Sequence, residues 1–263
     1  MQVVRKILHL CQKLLPVYSG GVTILSYHLI GAGTPLRVDI DEHVFQRQMN
    51  ELKGLAEVVS LHEAIDALRN GAGTKKPLAV IFFDDAYENF YEEAWPILHE
   101  LSIPVTLFVP VGFLERETGP PISETDGLRS ASWEQLVEMV ATGLLNVGSH
   151  GWSHLDMRKL SGEAATAELF RSRQILEDRL GVSVDSFCYP RGLWSLRAER
   201  YVGEVYDLAT IPGGQMLTSK NFNPLRLWRL PITRDMPSSL VSIFETRVWL
   251  EEWLADKWRR YVR

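Results

Sequence analysis

Six apolar residues in an unbroken row, Leu78 to Phe83, stop on two adjacent carboxylates, Asp84 and Asp85. A strand with one wet face alternates apolar and polar residues, whereas an unbroken row needs cover on both faces. Further short, mostly apolar runs follow at Val22 to His28, Val105 to Val111, Leu145 to Ser149, Ser186 to Tyr189, Leu208 to Ile211 and Leu225 to Ile232. Helical patterns fit between them: Val44 to Leu55, Leu61 to Asn70, Tyr87 to Leu101, Ser132 to Thr142 and Gly162 to Leu180. Ser132-Trp133-Glu134-Gln135 is a capping pattern, and Gly181 stops the longest helix. Buried strands alternating with amphipathic helices predict an α/β fold with a mostly parallel sheet. The segment Glu115 to Arg129, rich in Gly, Pro and charge, reads as a mobile insertion near the strand tips.

The chemistry-bearing residues fall where strands end: His28, Asp84, Asp85, His150 and Pro190. In parallel α/β folds the carboxyl ends of strands carry the active site. Asp84 and Asp85 would point to opposite faces if the strand continued, but a turn there lets both reach one cavity. Asp85-Ala86-Tyr87-Glu88 also fits a capping box for the next helix. Downstream, His150 and His154 stand four apart and converge on one ion if the segment turns helically. Two imidazoles and one carboxylate with open positions suit Zn²⁺ or Fe²⁺.

Length and charge narrow the options. The 263 residues suffice for one large domain, and a net charge of -5 argues against nucleic-acid binding. The basic end, Lys257 to Arg263, fits cations at a helix C-terminus. Cys11 and Cys188 imply no disulfide framework. The apolar stretch after Arg5 and Lys6 is broken by Gln12 and Lys13, too early for a signal-peptide core, and no membrane-spanning run follows. The expectation is a cytoplasmic protein, with membrane association open.

Phe82-Phe83-Asp84-Asp85-Ala86-Tyr87 resembles the acidic motif of the polysaccharide deacetylases, carbohydrate esterase family four. Val147-Gly148-Ser149-His150-Gly151-Trp152-Ser153-His154 is similar to that family's metal motif, and Phe187-Cys188-Tyr189-Pro190-Arg191-Gly192 to its groove motif. Ala94 to Leu98 and Pro104 to Val109 match between them, so the likeness runs from about Val22 to Ile232 in the family's order. The resemblance implies a distorted, incomplete (β/α) barrel of about seven parallel strands. It implies Asp84 as general base, and Asp85, His150 and His154 as ligands of one divalent ion. Zinc comes first, with manganese, cobalt, nickel or iron as alternatives. A backbone N–H at Arg191 would help hold the oxyanion.

Several positions depart from the pattern. No histidine follows His154 to serve as general acid; His28, in Ser26-Tyr27-His28, is the substitute, as in the circularly permuted exopolysaccharide-deacetylase branch that these residues resemble. Tyr206-Asp207-Leu208-Ala209-Thr210 also resembles a late motif of that branch. Ala86 replaces glycine, so the turn after the acidic pair is not expected to use positive φ. Gly151 replaces a hydroxyl residue, with consequences for loop support rather than ligation. A cation beside Asp84 is expected from Arg191 or Arg229. Trp152 and Trp194 are candidates for sugar stacking, with burial in the core as the alternative.

One catalytic domain over 1–263 is expected, its core at about 22–232, with a long C-terminal helix over 239–263. Trp249 and Trp253 lie off that helix's apolar stripe, which raises a homodimer or peripheral membrane contact. The leading function is metal-dependent removal of an N-acetyl or related acyl group from an amino sugar in a glycan or glycan precursor. The alternatives are a catalytically impaired carbohydrate-binding protein and an amidohydrolase for a small non-sugar amide.

Overall fold

The computed structural model describes residues 21–71, 76–122, 125, 127–213 and 215–245. Ten strands occur among them: β1 Val22–Tyr27, β2 Leu29–Ile30, β3 Asp39–Ile40, β4 Glu57–Val58, β5 Leu78–Asp84, β6 Val105–Val109, β7 Leu145–Ser149, β8 Ser186–Cys188, β9 Leu208–Pro212 and β10 Leu227–Pro231. The main sheet runs β1-β10-β9-β8-β7-β6-β5-β4, and β1 also pairs with β5 from Val22↔Leu78 to Tyr27↔Phe83. That pairing closes a ring of seven parallel strands, with β4 attached outside it. The barrel falls one strand short of eight.

Alternation along the strands divides the core in two. Leu25, Tyr27, Ile81, Phe83, Leu107, Val147, Phe187 and Leu230 face outward. They pack on α1 (Glu42–Leu55), α3 (Phe90–Glu100), α5 (Trp133–Ala141), α6 (Gly162–Leu180) and α7 (Leu196–Gly203). Short helices α4 (Val111–Leu114) and α8 (Val241–Glu245) complete the helices described around the barrel. Ile24, Val80, Phe82, Phe108, Cys188 and Leu227 face inward. Helix α2 (Leu61–Asn70) joins that inward cluster through Leu61, Ala64, Ile65 and Leu68. Each fully buried Leu, Ile or Phe contributes about 1.5–3 kcal/mol, so both faces of one strand stabilise the fold.

The expected elements form, with local corrections. Ser132 and Gln135 make the capping box of α5, and Gly181 ends α6 at φ 66. Helical backbone begins at Glu88, one residue after Tyr87, and from Phe90 makes a π turn in which Trp95 N–H donates to Phe90 O. Pro96 has no N–H to return to Glu92, so a regular α turn would lack a bond there. Asp85 does not cap this helix: its φ is 73, far from an N-cap conformation. The short β2–β3 pair and α7 carry too few periodic residues to be read from sequence. The described part of the 115–129 segment is tied back to the barrel mouth, where Tyr87 Oη meets Thr125 Oγ1 at 2.8 Å and Glu88 N–H donates to Arg129 O. The expected C-terminal helix is described only over Val241–Glu245; Trp249, Trp253 and Cys11 lie outside the described residues.

Candidate active site

Strand alternation selects the site before any contact is considered. Asp84 follows inward Phe82 by two residues, and Arg229 follows inward Leu227 in the same way. His28 follows Ser26, and His150 follows Gly148, where an added Cβ would meet the inward Phe108 ring at 2.4 Å. These side chains therefore share the interior at the carboxyl ends of the strands.

Asp84 is 2% exposed and accepts from Arg229 Nη1 at 2.6 Å, while its Oδ2 lies 3.4 Å from His28 Nε2. Burial pushes this carboxyl up, but the Arg229 guanidinium, then His28 and His150, outweigh it and hold it well below the usual range. Arg229 stays charged, since Asp84 offsets the desolvation of a 4%-exposed guanidinium. The expected cation beside the acidic pair is Arg229; Arg191 is exposed at φ 56 in the turn after β8. Burial lowers His28 against the opposing influence of Asp84. Asn89 fixes the chain just after His28, with Ile30 N–H donating to Oδ1 at 2.9 Å and Nδ2 donating to Ile30 O at 2.7 Å.

Asp85 reaches the same cavity because the chain turns left-handed, contrary to expectation, at both Asp85 (φ 73) and Ala86 (φ 49). A left-handed non-glycine residue costs roughly 1–2 kcal/mol. The turn is held by Asp85 N–H donating to Phe108 O at 3.1 Å and Ala131 N–H donating to Ala86 O at 2.9 Å. Asp85 Oδ1 then lies 3.5 Å from His150 Nε2 and 3.8 Å from His154 Nε2. The two histidines do not converge by helical winding. Residues 150–154 form an irregular loop in which Gly151 (φ 83) and His154 (φ 53) are left-handed.

Glu168 on α6 holds that loop. Its buried Oε1 accepts from Ser153 N–H, and a Cβ at Gly151 would come within 3.1 Å of the same oxygen. Arg171, one turn along α6, lies over the Trp152 ring at 3.3 Å, so Trp152 is packed at 6% exposure and presents no stacking face to a sugar. Trp194 is half-buried, and its indole N–H donates to Glu199 at 2.8 Å.

The donor chemistry fits a divalent cation. His150 Nδ1 lies 2.7 Å from Cys188 O, and a carbonyl can only accept, so the proton sits on Nδ1 and the Nε2 lone pair faces Asp85. Burial pushes His150 down to about 4, and burial with the charges of His150 and Arg191 pushes His154 down to about 2, so both rings are neutral near pH 7. Burial and the Asp84 charge raise Asp85 well above its ordinary value. Its Oδ1 is buried and has no hydrogen-bond partner among the described residues. An orphaned buried carboxylate facing two lone pairs is short of one cation. A second cluster, Asp84, His150 and Cys188, also brings its donor atoms within 4.8 Å of one another. There Asp84 already has Arg229, and burial pushes the Cys188 thiol up.

A family profile described as polysaccharide deacetylase matches residues 71–206. The chain belongs to the polysaccharide deacetylase family. Its enzyme class is accordingly that of a polysaccharide deacetylase, a hydrolase. The Bacillus subtilis polysaccharide deacetylase YxkH is 26% identical over 225 residues, covering 84% of this chain and 75% of that protein. The Staphylococcus aureus poly-beta-1,6-N-acetyl-D-glucosamine N-deacetylase is 28% identical over 59% of this chain, which spans 54% of that enzyme. Among solved structures, the Streptococcus pyogenes deacetylase PplD in complex with acetate has the same fold. Its TM-score is 0.74 at 22% identity, covering 86% of this chain and 98% of that one.

Most of the site's members were legible in the sequence. Arg229 entered only as one of two alternatives, and Glu168 and Asn89 not at all. A glutamate inside a helix and an asparagine beside a turn carry no local mark of which loop they hold.

Proposed function

We propose that the chain removes an N-acetyl or related acyl group from an amino sugar in a glycan or glycan precursor. Asp85, His150 and His154 would hold one divalent cation, with zinc preferred by the donor set. The observation that carries the reading is Asp85 Oδ1, buried and unpartnered between two neutral imidazoles. The cation would acidify a water and polarise the acyl carbonyl.

Asp84 is kept ionised by Arg229 and accepts the water's proton. So depressed a carboxylate holds that proton briefly, and His28 Nε2 stands 3.4 Å away to receive it. His28 is neutral at rest, so it becomes an acid for the departing amine only after this transfer. The backbone N–H of Arg191 assists at the oxyanion. Two observations support turnover over a binding-only protein: Ala86 adopts the turn despite its Cβ, and His28 stands beside Asp84.

The Escherichia coli and Staphylococcus aureus relatives act, by name, on poly-beta-1,6-N-acetyl-D-glucosamine. We extend that class to this chain and treat 22–232 as one catalytic unit. The reading includes cytoplasmic placement, checked by cell fractionation; among the described residues no helix is long and apolar enough to cross a membrane. Acetate release is measured across a panel of N-acylated sugars and sugar-lipids, with and without chelator. Release that chelator abolishes and added metal restores is the expected result. Asp84→Asn should retain the metal while release falls at least ~100-fold; an unchanged rate removes Asp84 as base.

A further inference from the structure

Cys188 is the inward residue of β8 that the proposed reaction leaves unused. Its Sγ lies 3.9 Å from Asp84 Oδ2 and 3.9 Å from His150 Nε2, all three side chains being buried. For a tetrahedral ion with bonds of about 2.0–2.3 Å to O, N and S, neighbouring donors sit roughly 3.3–3.8 Å apart. The two sulfur distances are therefore within a few tenths of an ångström of that spacing, and all three donor atoms lie within 4.8 Å of one another.

We propose that Asp84, His150 and Cys188 form a second, inhibitory cation position for thiophilic ions, competing with Asp85, His150 and His154 for one imidazole nitrogen. This rests on reading the latter three as the catalytic metal position.

The competition follows from His150. Its Nδ1 is committed to Cys188 O at 2.7 Å, which leaves a single lone pair, at Nε2, for both positions. An ion at the second position cannot share that nitrogen with an ion at the first. It also takes Asp84 Oδ2, the oxygen that faces His28, while Arg229 keeps Oδ1. One binding event thus removes a ligand of the first position and the proton acceptor together.

Selectivity follows from sulfur. Manganese gains little from thiolate, whereas cadmium, zinc in excess and cuprous ion gain much. On binding, the thiol proton leaves to solvent as the metal–sulfur bond forms, so the cavity gains one positive charge rather than two. Two adjacent carboxylates accommodate that charge despite Arg229.

Manganese-loaded enzyme is titrated with cadmium, following acetate release, bound metals by equilibrium dialysis and the thiolate-to-cadmium charge-transfer band. One cadmium per chain should displace manganese as the band rises and the rate falls. Cys188→Ser, with its fold verified by circular dichroism, should lack the band and need at least roughly tenfold more cadmium to lose its manganese. His154→Ala, which disables the first position, should bind no manganese yet still give the cadmium band.

Displacement without a band in wild type overturns the proposal and leaves the catalytic position standing. Equal cadmium sensitivity in Cys188→Ser does the same. A cadmium band in wild type that binds no manganese sinks the catalytic reading instead. Wild type that takes up neither ion sinks both.

Discussion

The two ends of the barrel are built from the same strands under opposite rules. At the amino end, the left-handed turns that stop helices fall mainly on glycine: Gly71, Gly143 and Gly181, with Ser102 the exception. A capping box closes the start of α2, and α2 joins the inward core. At the carboxyl end, left-handed backbone falls not only on glycines such as Gly31, Gly151 and Gly192 but also on Asp85, Ala86, His154 and Arg191, each of these four costing roughly 1–2 kcal/mol. That end also buries Asp84, Asp85, His150 and Arg229. Strain and desolvated charge gather where chemistry is placed, and the apolar strands between the two ends outweigh them.

The sharpest way to break this contrast is Arg229→Ala. It leaves the Asp84 carboxylate buried without its 2.6 Å partner, so urea unfolding should show a loss of about 3–5 kcal/mol. The double variant Arg229→Ala with Asp84→Ala should recover much of that; a double variant no better than the single one would mean packing, not charge, is at stake.

Glu168 tests whether loop support transmits to the site. Glu168→Ala should weaken manganese affinity about 10–100-fold, with Glu168→Gln between it and wild type, since Gln keeps an acceptor for the Ser153 amide. Unaltered affinity in the alanine variant would confine Glu168 to packing.

The backbone contrast predicts opposite signs for exchanges of glycine and alanine. Ala86→Gly relieves a left-handed residue and should raise stability by about 1 kcal/mol or less, because glycine's freedom in the unfolded chain offsets part of the gain. Gly181→Ala, at φ 66 in the C-cap of α6, should lower it by about 1 kcal/mol. Thermal melts of the two variants with the same sign would dissolve the distinction between the ends.

The smallest effect is at the amino end, where His62 Nε2 meets Asp185 Oδ2 at 2.7 Å. The hydrogen bond that His62 donates to Asp185 raises the imidazole's pKa, so its contribution is full below the unfolded histidine value and fades as pH rises through the elevated one. Asp185 is depressed despite burial, chiefly by His62; its contribution is present above the unfolded carboxylate value and fades as pH falls. The pair therefore helps between roughly pH 4 and 7. His62→Gln should flatten the stability profile in that window and leave it unchanged above pH 8; a parallel profile would show the pair to be inert.

Local pattern alone marks the seven barrel strands, five of the helices, the capping box of α5 and the glycine stop of α6. These follow from periods of 2 and 3.6, which each segment carries locally. It marked His28, Asp84, Asp85, His150 and His154 because they stand where apolar runs stop. Tertiary structure decided the rest. Pairing of β1 with β5 sets His28 beside Asp84, and ring order brings Arg229 to a carboxylate 145 residues away. The Phe108 and Ala131 hydrogen bonds turn Asp85 inward against its own strand's alternation, and α6 delivers Glu168 to the histidine loop. Local periodicity fixes which way a side chain faces, but partners are fixed only once the ring closes, because desolvation and Coulomb energies depend on distances that no single segment contains.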